Sequence, residues 1–226
     1  MKMLGLIPAR AGSKGIKKKN IRNLIHKPLY EWVTRVAIGS NCFDRIVISS
    51  DMQEIIYGEF QHLVQIRPKR LCKDKTTTQE VARFVLEKNP GFDLIAIIQP
   101  TSPFLRKRDI QDCLEIIEWN KKINSVQTIR LVKHLDHAYN QRLFNRETKK
   151  VVFAFPDKRA NVQKQSQPRH YALGNLIITK VPYFLKTNDF FGISWGIEIP
   201  QIYGMDIDYQ SDIDLATAAY KEGLTI

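Results

Sequence analysis

Five consecutive apolar residues, Leu94-Ile95-Ala96-Ile97-Ile98, run without a polar interruption and stop at Gln99-Pro100. Side chains of a strand alternate between faces, so a run that is apolar at every position needs cover on both. Residues 2–7 end in the same way at Pro8, and residues 44–49 hold Ile46-Val47-Ile48. Between these runs, apolar residues recur at helical spacing: Leu29, Trp32, Val33 and Val36 in residues 29–38, Val81, Phe84 and Val85 in 79–87, and Cys113, Leu114 and Ile117 in 109–119. Doubly covered strands alternating with amphipathic helices predict an α/β fold. Its sheet is mostly parallel with helices on both faces, in the Rossmann-like manner.

The same reading expects a weak helix over 52–60, short strands over 63–66, 176–179 and 198–203, and a closing helix from after Ser211 to about Glu222. A chain of 226 residues, 43% hydrophobic, suits a single domain spanning residues 1–226. Residues 130–168 depart from the pattern, being polar and basic. Within them, residues 139–144 and 150–155 flank Asn145-Arg146-Glu147-Thr148-Lys149, which predicts a β-hairpin inserted into the domain and too small to fold alone.

Sheets of this kind bind ligands beyond the carboxyl ends of their strands. That directs attention to residues 9–20, 49–51, 67–78, 99–106 and 204–208. In the first loop, Pro8-Ala9-Arg10-Ala11-Gly12-Ser13-Lys14-Gly15, two glycines let the backbone come close to a ligand, and successive N–H groups can cup phosphate oxygens. Arg10, Lys14 and Lys19 supply positive charge. The spacing is neither that of a Walker A loop nor G-x-G-x-x-G, so a phosphate loop and a solvated basic loop both remain open. The formal net charge is +12, and residues 1–40 hold nine basic side chains against the single acid Glu31. A field of that sign draws an anion. Polyphosphate fits better than nucleic acid, because the basic loop lacks the interleaved aromatics of a base-stacking surface.

Asp206 and Asp208 stand at i and i+2, which on an extended segment turns both carboxylates to one side. Hard oxygen ligands so placed suit Mg²⁺; the alternative, punctuation before a helix, fits Asp212 better. Ser49-Ser50-Asp51 reads as a helix cap or a nucleotide contact, and the two prolines of Gln99-Pro100-Thr101-Ser102-Pro103 stiffen a loop suited to holding substrate. His134 and His137 have no third ligand nearby in sequence and read as surface histidines. Three distant cysteines with no C-x-x-C pair point to a reducing cytoplasm. No apolar run approaches the roughly 20 residues that span a bilayer, and the N-terminus reads as a strand rather than a signal peptide.

The ordered set of motifs resembles one family. Ile7-Pro8-Ala9-Arg10-Ala11-Gly12-Ser13-Lys14-Gly15-Ile16 with Lys19-Asn20, then Lys27-Pro28-Leu29, Phe43-Asp44-Arg45-Ile46-Val47-Ile48-Ser49-Ser50-Asp51, Arg67-Pro68, Gln99-Pro100-Thr101-Ser102-Pro103 and Met205-Asp206-Ile207-Asp208 are similar to the CMP-sialic acid synthetases (acylneuraminate cytidylyltransferases). The resemblance implies a homodimer whose arm, here residues 130–168, reaches across to its partner. It implies CTP and a sugar acid as substrates and Mg²⁺ as cofactor. Ala9, Arg10, Ser13, Lys14, Asn20, Arg67, Thr76 and Thr78 would bind the nucleotide, with Arg10, Lys14, Lys19, Asp206 and Asp208 catalytic. Gln99, Tyr171 and Asn175 would face the sugar, and Asp206 and Asp208 would hold the metal.

Two departures bear on the sugar. A Tyr-Arg-Pro-Asn-Gly-like stretch in the family is here Tyr171-Ala172-Leu173-Gly174-Asn175, and an Arg-Arg-Gln-like segment is Asn161-Val162-Gln163. An arginine that forks onto a carboxylate is not readily replaced. A related nonulosonic acid, such as pseudaminic or legionaminic acid, and a sugar phosphate are therefore the alternatives to sialic acid. A nucleic-acid binder and an inactive sugar-nucleotide binder are remoter ones.

Overall fold

The computed structural model describes residues 1–12, 15–158 and 168–224. The strands β1 (Met3–Ala9), β4 (Arg45–Ser50), β5 (Val64–Ile66), β6 (Leu94–Ile98), β7 (Ser125–Leu131), β10 (Tyr171–Lys180) and β11 (Ser194–Glu198) form one seven-stranded sheet. Its order is β11-β7-β10-β6-β1-β4-β5. Only β10 runs against its neighbours; the other pairs are parallel. Two small hairpins accompany the sheet, β2 (Asn23–Leu24) with β3 (Lys27–Pro28), and β8 (Arg142–Phe144) with β9 (Val151–Phe153).

Alternation along the central strands separates two cores. Met3, Ile7, Ile48, Leu94, Ala96 and Ile98 meet the apolar faces of α1 (Leu29–Ser40) and α4 (Lys107–Trp119). Leu4, Leu6, Val47, Ile95 and Ile97 turn the other way, onto α3 (Thr78–Lys88) and α5 (Val181–Thr187). Every residue of β6 is buried, as a run apolar at each position requires, and each large side chain contributes about 1.5–3 kcal/mol by leaving water. The closing helix α6 (Gln210–Lys221) seats Ile213 and Ala216 in a third cluster with Leu24, Trp32, Phe104 and Ile207. Among the described residues, no helix is long and apolar enough to cross a membrane.

Three expectations need correction. The helix expected over 52–60 is only α2, Gln53–Ile56. The helix ends before Gly58, a poor helix former, and a Cβ there would lie 2.6 Å from the Glu54 carbonyl oxygen and 2.9 Å from the Tyr30 hydroxyl, so the turn is built around a glycine. The strand expected over 198–203 lies earlier, as β11; Pro200 follows it and the chain turns, with the Tyr203 N–H donating to the Pro200 carbonyl at 3.0 Å. Strand β7 begins before the polar excursion and carries Arg130 inside the sheet, so the excursion starts only after Leu131.

Candidate active site

A cleft of about 540 Å³ opens at the carboxyl ends of β1 and β6. One wall is the first loop, contributing Arg10, Gly12, Gly15, Lys19 and Asn20. Opposite stand Thr78, at the first turn of α3, and Gln99-Pro100-Thr101; Asp208 and Tyr209 close the mouth. Residues from four separate stretches thus converge where strand directions predict a ligand.

The first loop is tied down at several points. The buried Asn20 donates its side-chain amide to the Arg10 carbonyl at 2.8 Å, closing the loop on itself. The Ala11 N–H donates to the Asp51 carboxylate at 2.8 Å, fixing the loop to the end of β4. The Arg10 guanidinium pairs with Asp74 at 2.8 Å, and Lys19 with Asp208 at 2.8 Å. Lys18, in a left-handed conformation with φ 55°, turns the chain between the glycine-containing stretch and the turn that carries Lys19 and Asn20.

The acid-bearing segment is anchored between its two carboxylates. Ile207 is wholly buried and its N–H donates to the Thr101 carbonyl at 2.8 Å. Asp206 and Asp208 are therefore left on the open side. Loss of surrounding water raises the Asp206 pKa above the ordinary carboxylate value. A hydrogen bond from Thr101 works against that rise, repulsion from Asp208 adds to it, and Lys19 opposes it. Asp212 accepts from the Asp208 and Tyr209 N–H groups at 2.8 and 2.7 Å, capping the start of α6. Gly15 holds loop and acids together: a Cβ there would lie 2.3 Å from the Asp208 carbonyl oxygen.

The structure brings Arg10, Lys19, Asn20, Thr78, Gln99 and Asp208 into one cleft. Ala9 ends β1 beneath it, wholly buried. Ser13 and Lys14 lie outside the described residues, as do Asn161, Val162 and Gln163. Arg67 lies under the cleft, where its Nη2 donates to the Ser49 carbonyl at 2.9 Å and burial lowers its pKa, with Asp51 opposing. Thr76 precedes the Thr77 cap of α3 and does not line the cleft.

Tyr171 and Asn175 stand elsewhere. Tyr171 pairs with Leu131 at the start of β10, at the same end of the sheet as the cleft but beside a separate shallow cavity with Arg169 and His170. Asn175 is buried in an irregularity of β10, where Thr128 donates to its side-chain carbonyl at 2.9 Å and its amide donates to the Tyr203 carbonyl at 2.8 Å. That leaves it holding the fold rather than facing the cleft. His137 is likewise buried: its Nε2 meets the Pro168 carbonyl at 2.9 Å and its ring stacks on His170 at 3.9 Å, whereas the sequence reads it as a surface residue. Sequence reasoning passed over Thr101, Asp51 and Asp74 as individual residues. Asp51 and Thr101 fall within stretches the sequence does single out, residues 49–51 and 99–103, and Asp74 within the loop 67–78.

Among the described residues no cluster of three or more histidine, cysteine or acidic side chains is arranged to hold a metal. Asp206, with the Thr101 hydroxyl beside it, and Asp208 are hard oxygen donors of the kind that could hold Mg²⁺.

Comparison with known proteins agrees with the geometry. The family model described as Cytidylyltransferase matches residues 4–212. The chain is 26% identical over 227 residues to the N-acylneuraminate cytidylyltransferase of Escherichia coli, covering 95% of this chain but 51% of that protein. It is 28% identical to the pseudaminic acid cytidylyltransferase of Campylobacter jejuni, covering 98% of this chain and 97% of that one. In fold it matches a CMP:2-keto-3-deoxy-manno-octonic acid synthetase complexed with CTP, with a TM-score of 0.73 at 13% identity over 98% of this chain and 99% of that one.

Proposed function

The chain belongs to the cytidylyltransferase family, and from that premise we propose that it transfers the cytidylyl group of CTP to the anomeric hydroxyl of a nonulosonic acid. One observation carries the reading: a basic, glycine-containing loop meets Asp208, two residues after Asp206, at a cleft that also holds Gln99. A triphosphate needs the first, a phosphate-bridging cation the second, and a polyhydroxylated acceptor the third.

In this proposal Arg10 and Lys19, with Ser13 and Lys14 of the same loop, neutralise the triphosphate. Asn20 keeps the loop in shape through the Arg10 carbonyl. Thr78 meets the ribose, while Arg67 and Thr76 shape the nucleoside end. Gln99 orients the sugar. The sugar oxygen forms a new bond to the α-phosphorus as the bond to the β-phosphate oxygen breaks in line; pyrophosphate leaves and the hydroxyl proton passes to solvent. The protein's share is positioning and charge neutralisation. Asp206 and Asp208 would hold Mg²⁺, which when bound offsets phosphate charge and acidifies a neighbouring hydroxyl. The exposed hairpin of β8 and β9 serves as a dimerisation arm within residues 130–168 of a single domain. Three free thiols suit a reducing cytoplasm.

The test is pyrophosphate release with Mg²⁺, crossing the four nucleoside triphosphates against nonulosonic acids and sugar 1-phosphates. Release with CTP and a nonulosonic acid alone is expected. Release only with a sugar phosphate, or only with another triphosphate, would overturn the substrate assignment.

A further inference from the structure

We infer that Arg130 grips the carboxylate of the sugar acid, and so selects acidic sugars for this chain; the inference rests on the function proposed above. Arg130 is the penultimate residue of β7, which runs parallel to β6, and so it stands at the ligand end of the sheet. Its antiparallel neighbour across the ladder is Ala172. Residues opposed in this way share a face, and the small methyl leaves that face to the guanidinium.

Gly204 makes room for it. A Cβ on Gly204 would lie 2.7 Å from Arg130 Cδ and 3.4 Å from the Cα of Gly174. The arginine stem is thus laid against backbone at the turn that leads, two residues later, to Asp206. In a 2-keto sugar acid the anomeric carbon bears both the attacking hydroxyl and the carboxylate. A carboxylate held beside the acid-bearing segment therefore delivers that hydroxyl to the reacting phosphorus.

What is missing around Arg130 points to an anion. Its Nε is buried without a hydrogen-bond partner, and among the described residues no carboxylate forms an ion pair with it. Two other arginines near this end of the sheet are held within the protein, Arg67 by Ser49 and Arg106 by Asp109. A buried unpaired guanidinium N–H is costly, and a planar carboxylate is the ligand its fork matches.

The experiment compares wild type with Arg130→Gln, Arg130→Lys and, as a control at the same end of the sheet, Arg169→Gln. The readouts are KM for the sugar acid, KM for CTP, and the ratio of kcat/KM for the acid to that for its 1-carboxamide. Arg130→Gln is expected to raise KM for the acid by about 10- to 100-fold with KM for CTP within about twofold, and to reduce the ratio about tenfold. Arg130→Lys should recover part of the ratio, since charge returns without the fork. If Arg130→Gln folds poorly, Arg130→Met keeps the apolar stem and the ratio is read there. An active wild type whose ratio survives in Arg130→Gln or Arg130→Met, or falls only in Arg169→Gln, overturns the assignment. Wild-type silence with CTP and every nonulosonic acid overturns the underlying function, and this assignment with it.

Discussion

At Gly15 a single hydrogen separates the first loop from the acid-bearing segment. A methyl group there would sit 2.3 Å from the Asp208 carbonyl oxygen, against backbone that cannot rotate away. Gly15→Ala should therefore push the phosphate loop off the acid-bearing segment, lowering kcat/KM for CTP by about 100-fold while the thermal midpoint moves little, since the residue is exposed. Steady-state kinetics beside a melting curve checks this; unchanged kinetics would show that the two segments need not meet. The acids make a complementary case. Asp206→Asn and Asp208→Asn should each abolish pyrophosphate release. Asp206→Asn should leave the metal-free protein as stable or about 1–2 °C more so, because it removes a carboxylate that its surroundings disfavour in charged form. Near-normal turnover in both variants would remove the metal assignment. Charged residues near glycine, or at i and i+2 after a strand, were legible in sequence because their chemistry has few other uses. Asn175 shows the limit. An amide beside a glycine looks the same whether it meets a sugar or, as here, stitches an irregular stretch of β10 to Thr128 and the Tyr203 carbonyl.

Helix α3 reaches the cleft through Thr78, where the proposal puts the nucleotide, and its start is fixed by a capping box. Glu80 N–H donates to the Thr77 hydroxyl oxygen at 3.2 Å, and the Thr77 N–H donates to the Glu80 carboxylate at 2.7 Å. Thr77→Ala should cost about 0.5–2 kcal/mol, or on the order of 2–4 °C per kcal/mol in thermal midpoint. It should also raise KM for CTP modestly as Thr78 loosens. A melting point equal to wild type would show the cap to be redundant. At this scale the buried elements were readable and the edge ones were not. Strand β6 announces itself because both of its faces are covered, and α1, α3 and α4 because each has one apolar face. Strand β11 is the sheet's outer edge: Trp195 and Gly196 are exposed there, so the alternation that marks a half-buried strand is absent. Strand β7 hid for another reason, since Arg130 and Gln127 make it read as part of a polar segment although Thr128 and Val126 are buried within it.

The charge of the whole chain and its protruding hairpin act beyond any one element. Nine cations stand against one acid in the first 40 residues, and Arg10 and Lys19 among them line the cleft; if that cleft takes CTP as proposed, KM for CTP should rise with ionic strength while kcat holds, as screening shortens the reach of their field. A KM independent of salt between low and physiological ionic strength would show that steering is unimportant. The hairpin poses the larger structural question. Strands β8 and β9 are three residues each, and Leu143, Phe144, Val151 and Val152 are 60, 57, 55 and 43% exposed. A two-stranded hairpin is marginal in water alone, and apolar side chains on both strands would be a liability if water were their only neighbour. In the dimer proposed above, a second copy of the chain would supply cover for them by the same contact on each subunit, the symmetric arrangement most homodimers adopt. Replacing residues 139–155 with a short glycine-containing turn should therefore convert dimers to monomers in light scattering, with the seven-stranded core keeping its cooperative melt. Leu143→Glu combined with Val152→Glu tests the same contact without shortening the chain, and should weaken the dimer by at least about 100-fold. A wild type that is already monomeric, or a dimer that survives both changes, would remove the hairpin from the interface and leave its exposed apolar residues in need of another partner.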